Sequence, residues 1–357
     1  MTLTSPPDFR AHSVPPAPPI KRATWEWYIP IYFWLGGISA GSWIAAAAED
    51  LTGGRNRRLI GTARWLSLGT LLGGTALLIA DLGRPERFHH MLRIVRARSA
   101  MSLGSWGLTA YGGVAGLAAM LQAGEAGWLG RRAALARLSR GGAGRAVHVA
   151  GLPLAAFVGS YTGVLLASTS TPSWEARAGW LGPLFLSSAL SSGIAAVALA
   201  ADLGPGLGPR ARRRLARAEA VALAAELALL AQAGRASRPL PSERRARPKL
   251  GAARALVALA GMALPLGLAI ARGAGRKRRG RRRQQNHALH LAGATLALGG
   301  SLALRYLVTH EGYRSADTPE DTWRITSGGD GAPGRRPVRG PQAVEPVLAD
   351  GRLSAPA

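Results

Sequence analysis

Apolar residues along this chain fall into blocks of about twenty, separated by shorter stretches rich in arginine. A bilayer core of roughly 30 Å is crossed by about 20 helical residues, so the pattern predicts a polytopic α-helical membrane bundle. Eight candidate spans are legible, at about 28–48, 60–80, 102–122, 146–168, 178–201, 214–233, 251–271 and 287–309. Residues 25–314 form the expected all-α transmembrane domain. Residues 1–24 and 315–357, rich in Pro, Gly and Arg, are expected to be disordered tails. No apolar stretch of signal-peptide character precedes the first block, so the first span is expected to act as its own insertion signal.

Small residues recur four apart within spans, as at Gly37 and Gly41, Gly69 and Gly73, Gly112 and Gly116, and Gly159 and Gly163. That spacing lets helix backbones approach closely in lipid and calls for no chemistry. Lys and Arg number 22 in the loops opposite the N-terminus against 19 on its own side. Setting aside the arginines of 81–101 as functional sharpens the contrast, and the positive-inside rule then places both termini outside.

Composition narrows the function classes. The net charge of +26 would suggest nucleic acid in a soluble protein. Here the basic residues flank apolar blocks, so the expected partner is anionic lipid and not nucleic acid. The chain has no cysteine, which excludes thiolate zinc sites, cysteine-ligated iron–sulfur clusters and c-type haem. Haem b would need facing imidazoles. His148, His287 and His290 all open spans at the inner end, where geometry permits a pair; histidines at span ends are commonly interfacial, and no metal site is expected.

The chemically unusual segments all fall on the N-terminal side. They are Trp25-Glu26-Trp27-Tyr28, the loop from Asp81 to Trp106, the run from Tyr161 to Trp174, and Arg305-Tyr306. One specialised face points to docking or ligand binding there. Asp81 and Arg84 are three apart at a helix end, a spacing that suits an ion pair. Arg305 either reaches Asp81 across the bundle or extends to the interface. Glu26 is either a proton relay at the mouth of the first span or a solvated carboxylate. Glu219 and Glu226, seven apart, share one face of the sixth helix. They are either part of a proton path or are each paired within the bundle.

These segments also carry a family resemblance. Trp34-Leu35-Gly36-Gly37-Ile38-Ser39-Ala40-Gly41, D-L-G-R-P-E-R-F at 81–88, M-S-L-G-S-W at 101–106, Y-T-G-V-L-L-A-S-T-S-T-P-S-W at 161–174 and L-x-x-G-G-S-L-A-L-R-Y at 296–306 occur in order. The chain resembles the NrfD/PsrC family, membrane subunits of molybdopterin-type respiratory complexes such as polysulfide reductase. The family usually reads S-P-M-S where this chain has Ser99-Ala100-Met101-Ser102, without the proline turn.

The resemblance implies an eight-helix subunit of the inner (cytoplasmic) membrane, not catalytic alone and without haem or cluster of its own. It would bind an exchangeable menaquinone or ubiquinone near the outer face. It would pass electrons to or from a ferredoxin-like iron–sulfur subunit, with a molybdopterin catalytic subunit beyond. Tyr161 matches a family tyrosine implicated in quinone binding; the other reading is an interfacial belt tyrosine. The family's histidine and asparagine in the first span are not evident, leaving Trp27 and Tyr32 as substitutes beside Glu26. Asp81, Arg84, Arg305 and Trp174 would brace a partner-facing loop. The competing readings are an ion-coupled transporter and a purely structural anchor.

Overall fold

The computed structural model describes residues 20–53, 56–128, 132–203, 207–274 and 282–326. Most of both expected tails lies outside these residues. Among the described residues there is no strand, and eight long helices run back and forth. They are α1 (Tyr28–Leu51), α2 (Arg57–Ala80), α3 (Ala100–Ala126), α4 (Gly142–Ala167), α5 (Ala178–Asp202), α6 (Pro209–Ala236), α7 and α8 (Arg282–Ala316). The seventh, α7, is composite: Arg247–Leu256 passes through a π-helical turn, Val257–Ala263, into Leu264–Ala274.

Six of the eight are long and apolar enough to cross a membrane. The other two, α3 and α6, have 27 and 28 residues and pack beside them. This is a polytopic helical membrane bundle, and its eight helices fall where the apolar blocks predict.

The helix ends follow local chemistry. Asn56 caps α2 by accepting from the Leu59 amide at 3.2 Å, and Ser99 caps α3 by accepting from Ser102 at 3.3 Å. Gly127 ends α3 with φ +87°, a left-handed residue that glycine adopts without strain. Short helices at Pro85–Leu92 (3₁₀), Pro172–Glu175, Pro241–Arg245 and Pro319–Thr326 each open on a proline, whose missing N–H is no loss in a first turn. Residues 315–326, expected to belong to the C-terminal tail, are ordered instead. Helix α8 continues to Ala316, and Asp321 of Pro319–Thr326 is buried where Ser242 donates to it through both its amide and its hydroxyl.

Buried on most of its surface, α1 packs against α2, α4, α5 and α8. Its glycine face meets α5 backbone to backbone. A Cβ on Gly41 would overlap the Ala189 carbonyl, and one on Gly193 would overlap the Gly41 backbone. The N-terminal approach is fixed too. Tyr313 Oη of α8 donates to the Trp25 carbonyl at 2.7 Å, and Trp25 stacks on Trp174 at 5.8 Å. All chain segments that precede α1, join α2 to α3, join α4 to α5, join α6 to α7 and follow α8 therefore share one face, here called the N-side.

Candidate functional site

Four of the predicted residues gather at the N-side ends of α1 to α4. Asp81 caps the end of α2, and its carboxylate accepts the backbone N–H of Glu26. Burial pushes the Asp81 carboxyl above the usual range, the Glu26 amide partly offsets this, and the Glu26 charge adds to it. Beneath them Tyr32 is buried on α1 and packed against Gly74 of α2, on the same side of the bundle as Tyr161. Tyr161 Oη donates to the carbonyl of Ala100 at 2.7 Å. Its ring stacks on Phe157 at 5.2 Å, and both rings press on α3 where Gly104 and Gly107 leave room. Trp27 is half exposed and stacks on Tyr28 at 4.1 Å, while the Glu26 side chain faces outward.

Three sequence expectations about the brace change in the structure. Asp81 and Arg84 form no ion pair among the described residues. An i, i+3 pair needs a continuous helix, but α2 stops at Ala80 and Arg84 is extended before the Pro85 turn, exposed. Arg305 does not reach Asp81, because it lies about three turns inside α8. Trp174 does not face outward: it is 1% exposed, donates its indole N–H to Val308 at 2.8 Å and fills the space over Gly312.

Arg305 instead sits at the middle of the bundle, fully buried. Its Nε donates to the Phe33 carbonyl at 3.0 Å. Its Nη1 donates to Ser188 at 2.9 Å and to the Ser301 hydroxyl and carbonyl at 2.6 and 3.0 Å. Glu226, 1% exposed, accepts from Ser191 at 2.7 Å and lies near Arg305 without a direct ion pair. The two charges are thus joined through the serine row of α5. Glu219, toward the opposite face, is held by Arg272 of α7 at 2.9 Å.

Sequence reasoning missed one further network. At the opposite face His148 Nδ1 meets Asp50 at 2.8 Å, and Arg64 Nε donates to His148 Nε2 at 3.2 Å. Arg64 also donates to Ser139 at 2.8 Å and Gln122 at 3.2 Å. Nε2 accepts, so Nδ1 carries the proton toward Asp50, and both ring nitrogens are occupied. The signal was present: Asp50 and Arg64 are charges at or inside apolar blocks, which membrane helices retain only when paired. His290 lies 2.8 Å from Asp202, which also binds Arg212. The side chain of His287 lies outside the described residues. Among the described residues no three His, Asp or Glu side chains gather as a metal site.

The arrangement has buried phenols at one end and buried charges deep in the bundle, on a chain whose motifs run in a fixed order. A family model described as "Polysulphide reductase, NrfD" matches residues 19–236. The chain belongs to the NrfD family. Among curated proteins, the C subunit of the polysulfide reductase of Wolinella succinogenes is 33% identical over 184 residues, 49% of this chain and 57% of that relative. The match therefore spans little more than half of the relative's length. The NrfD match ends at Ala236, the last residue of α6. Helices α7 and α8 lie beyond it, yet α8 supplies Arg305 to the centre of the NrfD helices. With its family and its apolar helices, the chain is a multi-pass membrane protein of the NrfD family.

Proposed function

We propose that this NrfD subunit binds an exchangeable quinone, menaquinone or ubiquinone, between α1 and α4 beneath the loop 81–99. On this reading it exchanges electrons there with a ferredoxin-like iron–sulfur subunit docked on the N-side, and a molybdopterin catalytic subunit lies beyond. The membrane is the inner (cytoplasmic) membrane, with the N-side outward and anionic lipid around the opposite, arginine-rich loops.

The observation that carries the reading is the pair of buried phenols, Tyr32 and Tyr161, at one end of a chain of this family. Quinone chemistry needs polar groups at a ring oxygen within an apolar slot, and a route for protons to water. Tyr161 spends its proton on Ala100, so its oxygen is left to accept. As held, it suits a hydroquinone O–H better than a quinone carbonyl. Trp27 supplies an exposed aromatic face at the mouth, and Glu26 a carboxylate facing water beside Asp81. Arg84, exposed and outside any ion pair among the described residues, is the charge best placed to meet a docked partner.

The same reading gives Glu226 and Glu219 a place on a proton path from the opposite face. Glu226 is the stronger member, because serines and not a cation hold it, whereas Arg272 neutralises Glu219 directly.

The test is quinol-linked electron transfer in membranes carrying this chain with its neighbouring subunits. Loss of turnover in Tyr161→Phe, with the subunit still inserted and its partners still bound, supports the assignment. Unchanged turnover together with unchanged quinone affinity rejects it.

A further inference from the structure

Between the N-side halves of α5, α6, α7 and α8 lies a cavity of about 320 Å³. Its walls are apolar, with Leu184, Leu227, Leu304 and Leu307 among them, and its head carries Ser173, Arg177, Arg254 and Glu311. The charges at the head form a closed ring. Arg177 bridges Glu243 at 2.6 Å and Glu311 at 3.8 Å, and Arg254 bridges the same two at 3.1 and 2.7 Å. Two cations and two anions cancel, so the head offers no net attraction to a phosphate. It nevertheless presents both donors and acceptors.

Two details mark this as a built site. Ser173 lines the cavity and is 1% exposed, and its Oγ has no hydrogen-bond partner among the described residues. A buried hydroxyl left unpaired costs about 1–3 kcal/mol, a cost that a ligand atom reaching it would relieve. The π-helical turn Val257–Ala263 places Ala258 on the wall. Within the same turn, Gly261 meets Gly300 of α8 backbone to backbone. Single π turns inside α-helices occur most often at functional sites.

We propose that this cavity is a second binding site, for a neutral, single-tailed amphiphile of the quinone class. Its ring would lie at Ser173 and its tail along Leu227 and Leu304. A carbonyl oxygen takes a hydrogen bond from the Ser173 hydroxyl or from Arg177. The reduced, hydroxyl form can instead donate to Glu311, the carboxylate on the cavity wall. The volume admits a ring and part of one tail, at the small end of ligand pockets. The site is separate from that at Tyr161, which lies on α4 against α3. The choice of ligand class rests on the quinone reading above, and the location does not.

The experiment is photolabelling of the full-length protein in nanodiscs with a short-tailed azidoquinone, followed by peptide mapping. Label is expected on α6 and α7 peptides near Leu227 and Arg254. Leu227→Trp should abolish it, Ser173→Ala should reduce it about five- to tenfold, and Tyr161→Phe should leave it in place. Ser173→Ala removes one atom and keeps the test valid if Leu227→Trp misfolds. Label confined to α3 and α4 overturns this site and leaves the proposed function standing. Label on α6 and α7 but absent from α3 and α4 supports this site and rejects the Tyr161 assignment. No quinone label anywhere overturns both. Labelling of α6 and α7 by a photoactivatable phosphatidylethanolamine that excess quinone does not displace makes the cavity a lipid slot and overturns the proposal.

Discussion

Tyr161 gives its phenolic proton to the carbonyl of Ala100, 2.7 Å away, and so ties α4 to the first turn of α3. One side chain therefore serves both the fold and the proposed site. Tyr161→Phe should lower stability by only about 1 kcal/mol, the worth of one hydrogen bond. Its effect on quinol-linked turnover should be far larger. Thermal unfolding in detergent read beside turnover separates the two roles, and a proportionate loss in both would mark the tyrosine as structural.

Arg305 carries a large expected penalty. Arg305→Ala strips donors from the Phe33 carbonyl, Ser188 and Ser301, and leaves the Glu226 carboxyl without a nearby cation. Breaking a buried charge arrangement on one side costs about 3–5 kcal/mol. Arg305→Lys should recover little of this, because an ammonium cannot span the same three partners. Full-length, inserted Arg305→Ala protein with an unshifted melting temperature would contradict the geometry.

Glu219 and Arg272 make a pair whose removal can be balanced. Glu219→Gln should destabilise by roughly 3 kcal/mol, since it strands the Arg272 guanidinium inside the bundle. Adding Arg272→Gln should restore most of that loss. A proton-path role predicts something further: the double variant regains stability but not any proton-coupled activity.

The glycines separate by position. Gly41→Ala should prevent the close approach of α1 to α5, as its Cβ would overlap the Ala189 carbonyl. Gly69→Ala and Gly116→Ala meet nothing within 4 Å, and should be neutral or stabilise by up to about 1 kcal/mol through better helix propensity. Melting temperatures of the three variants decide this, and equal shifts would refute it.

Acid should loosen the ring around Arg177. Burial alone would raise the Glu243 carboxyl, but Arg177 and Arg254 beside it hold it below the usual range. A depressed carboxyl contributes stability above its unfolded value of roughly 4.3 and loses it as pH falls through the lower folded value. Asp81 has the opposite sign: its raised carboxyl gains stability on acidification. Unfolding of Glu243→Gln, compared with the parent below about pH 4, should show the parent's acid-dependent loss reduced.

What was legible in the sequence divides along physical lines. Helices in lipid must satisfy their backbone internally, so the apolar blocks marked the long helices, six of them apolar enough by themselves to cross a membrane. The family motifs are contiguous and were readable for the same reason that local patterns are. The partners of Arg305 were not, because Phe33, Ser188 and Ser301 come from three helices with no sequence relation. Asp81 and Arg84 illustrate a second limit. Their spacing suited a pair, but the chain leaves helical geometry before Arg84. Asp50, His148 and Arg64 were each visible as charged or titratable residues beside apolar blocks, yet only the three-dimensional arrangement joins them.

The bare contact between Gly41 and Gly193 also sets the order of assembly. During synthesis α1 is released from the ribosome long before α5 exists, so its glycine face must wait in lipid without its mate. Membrane insertion can proceed helix by helix, but the compact state can form only once the fifth helix arrives. Truncation after α4 should therefore leave a polypeptide that is inserted yet uncompacted, and open to protease within segments that the full-length subunit protects.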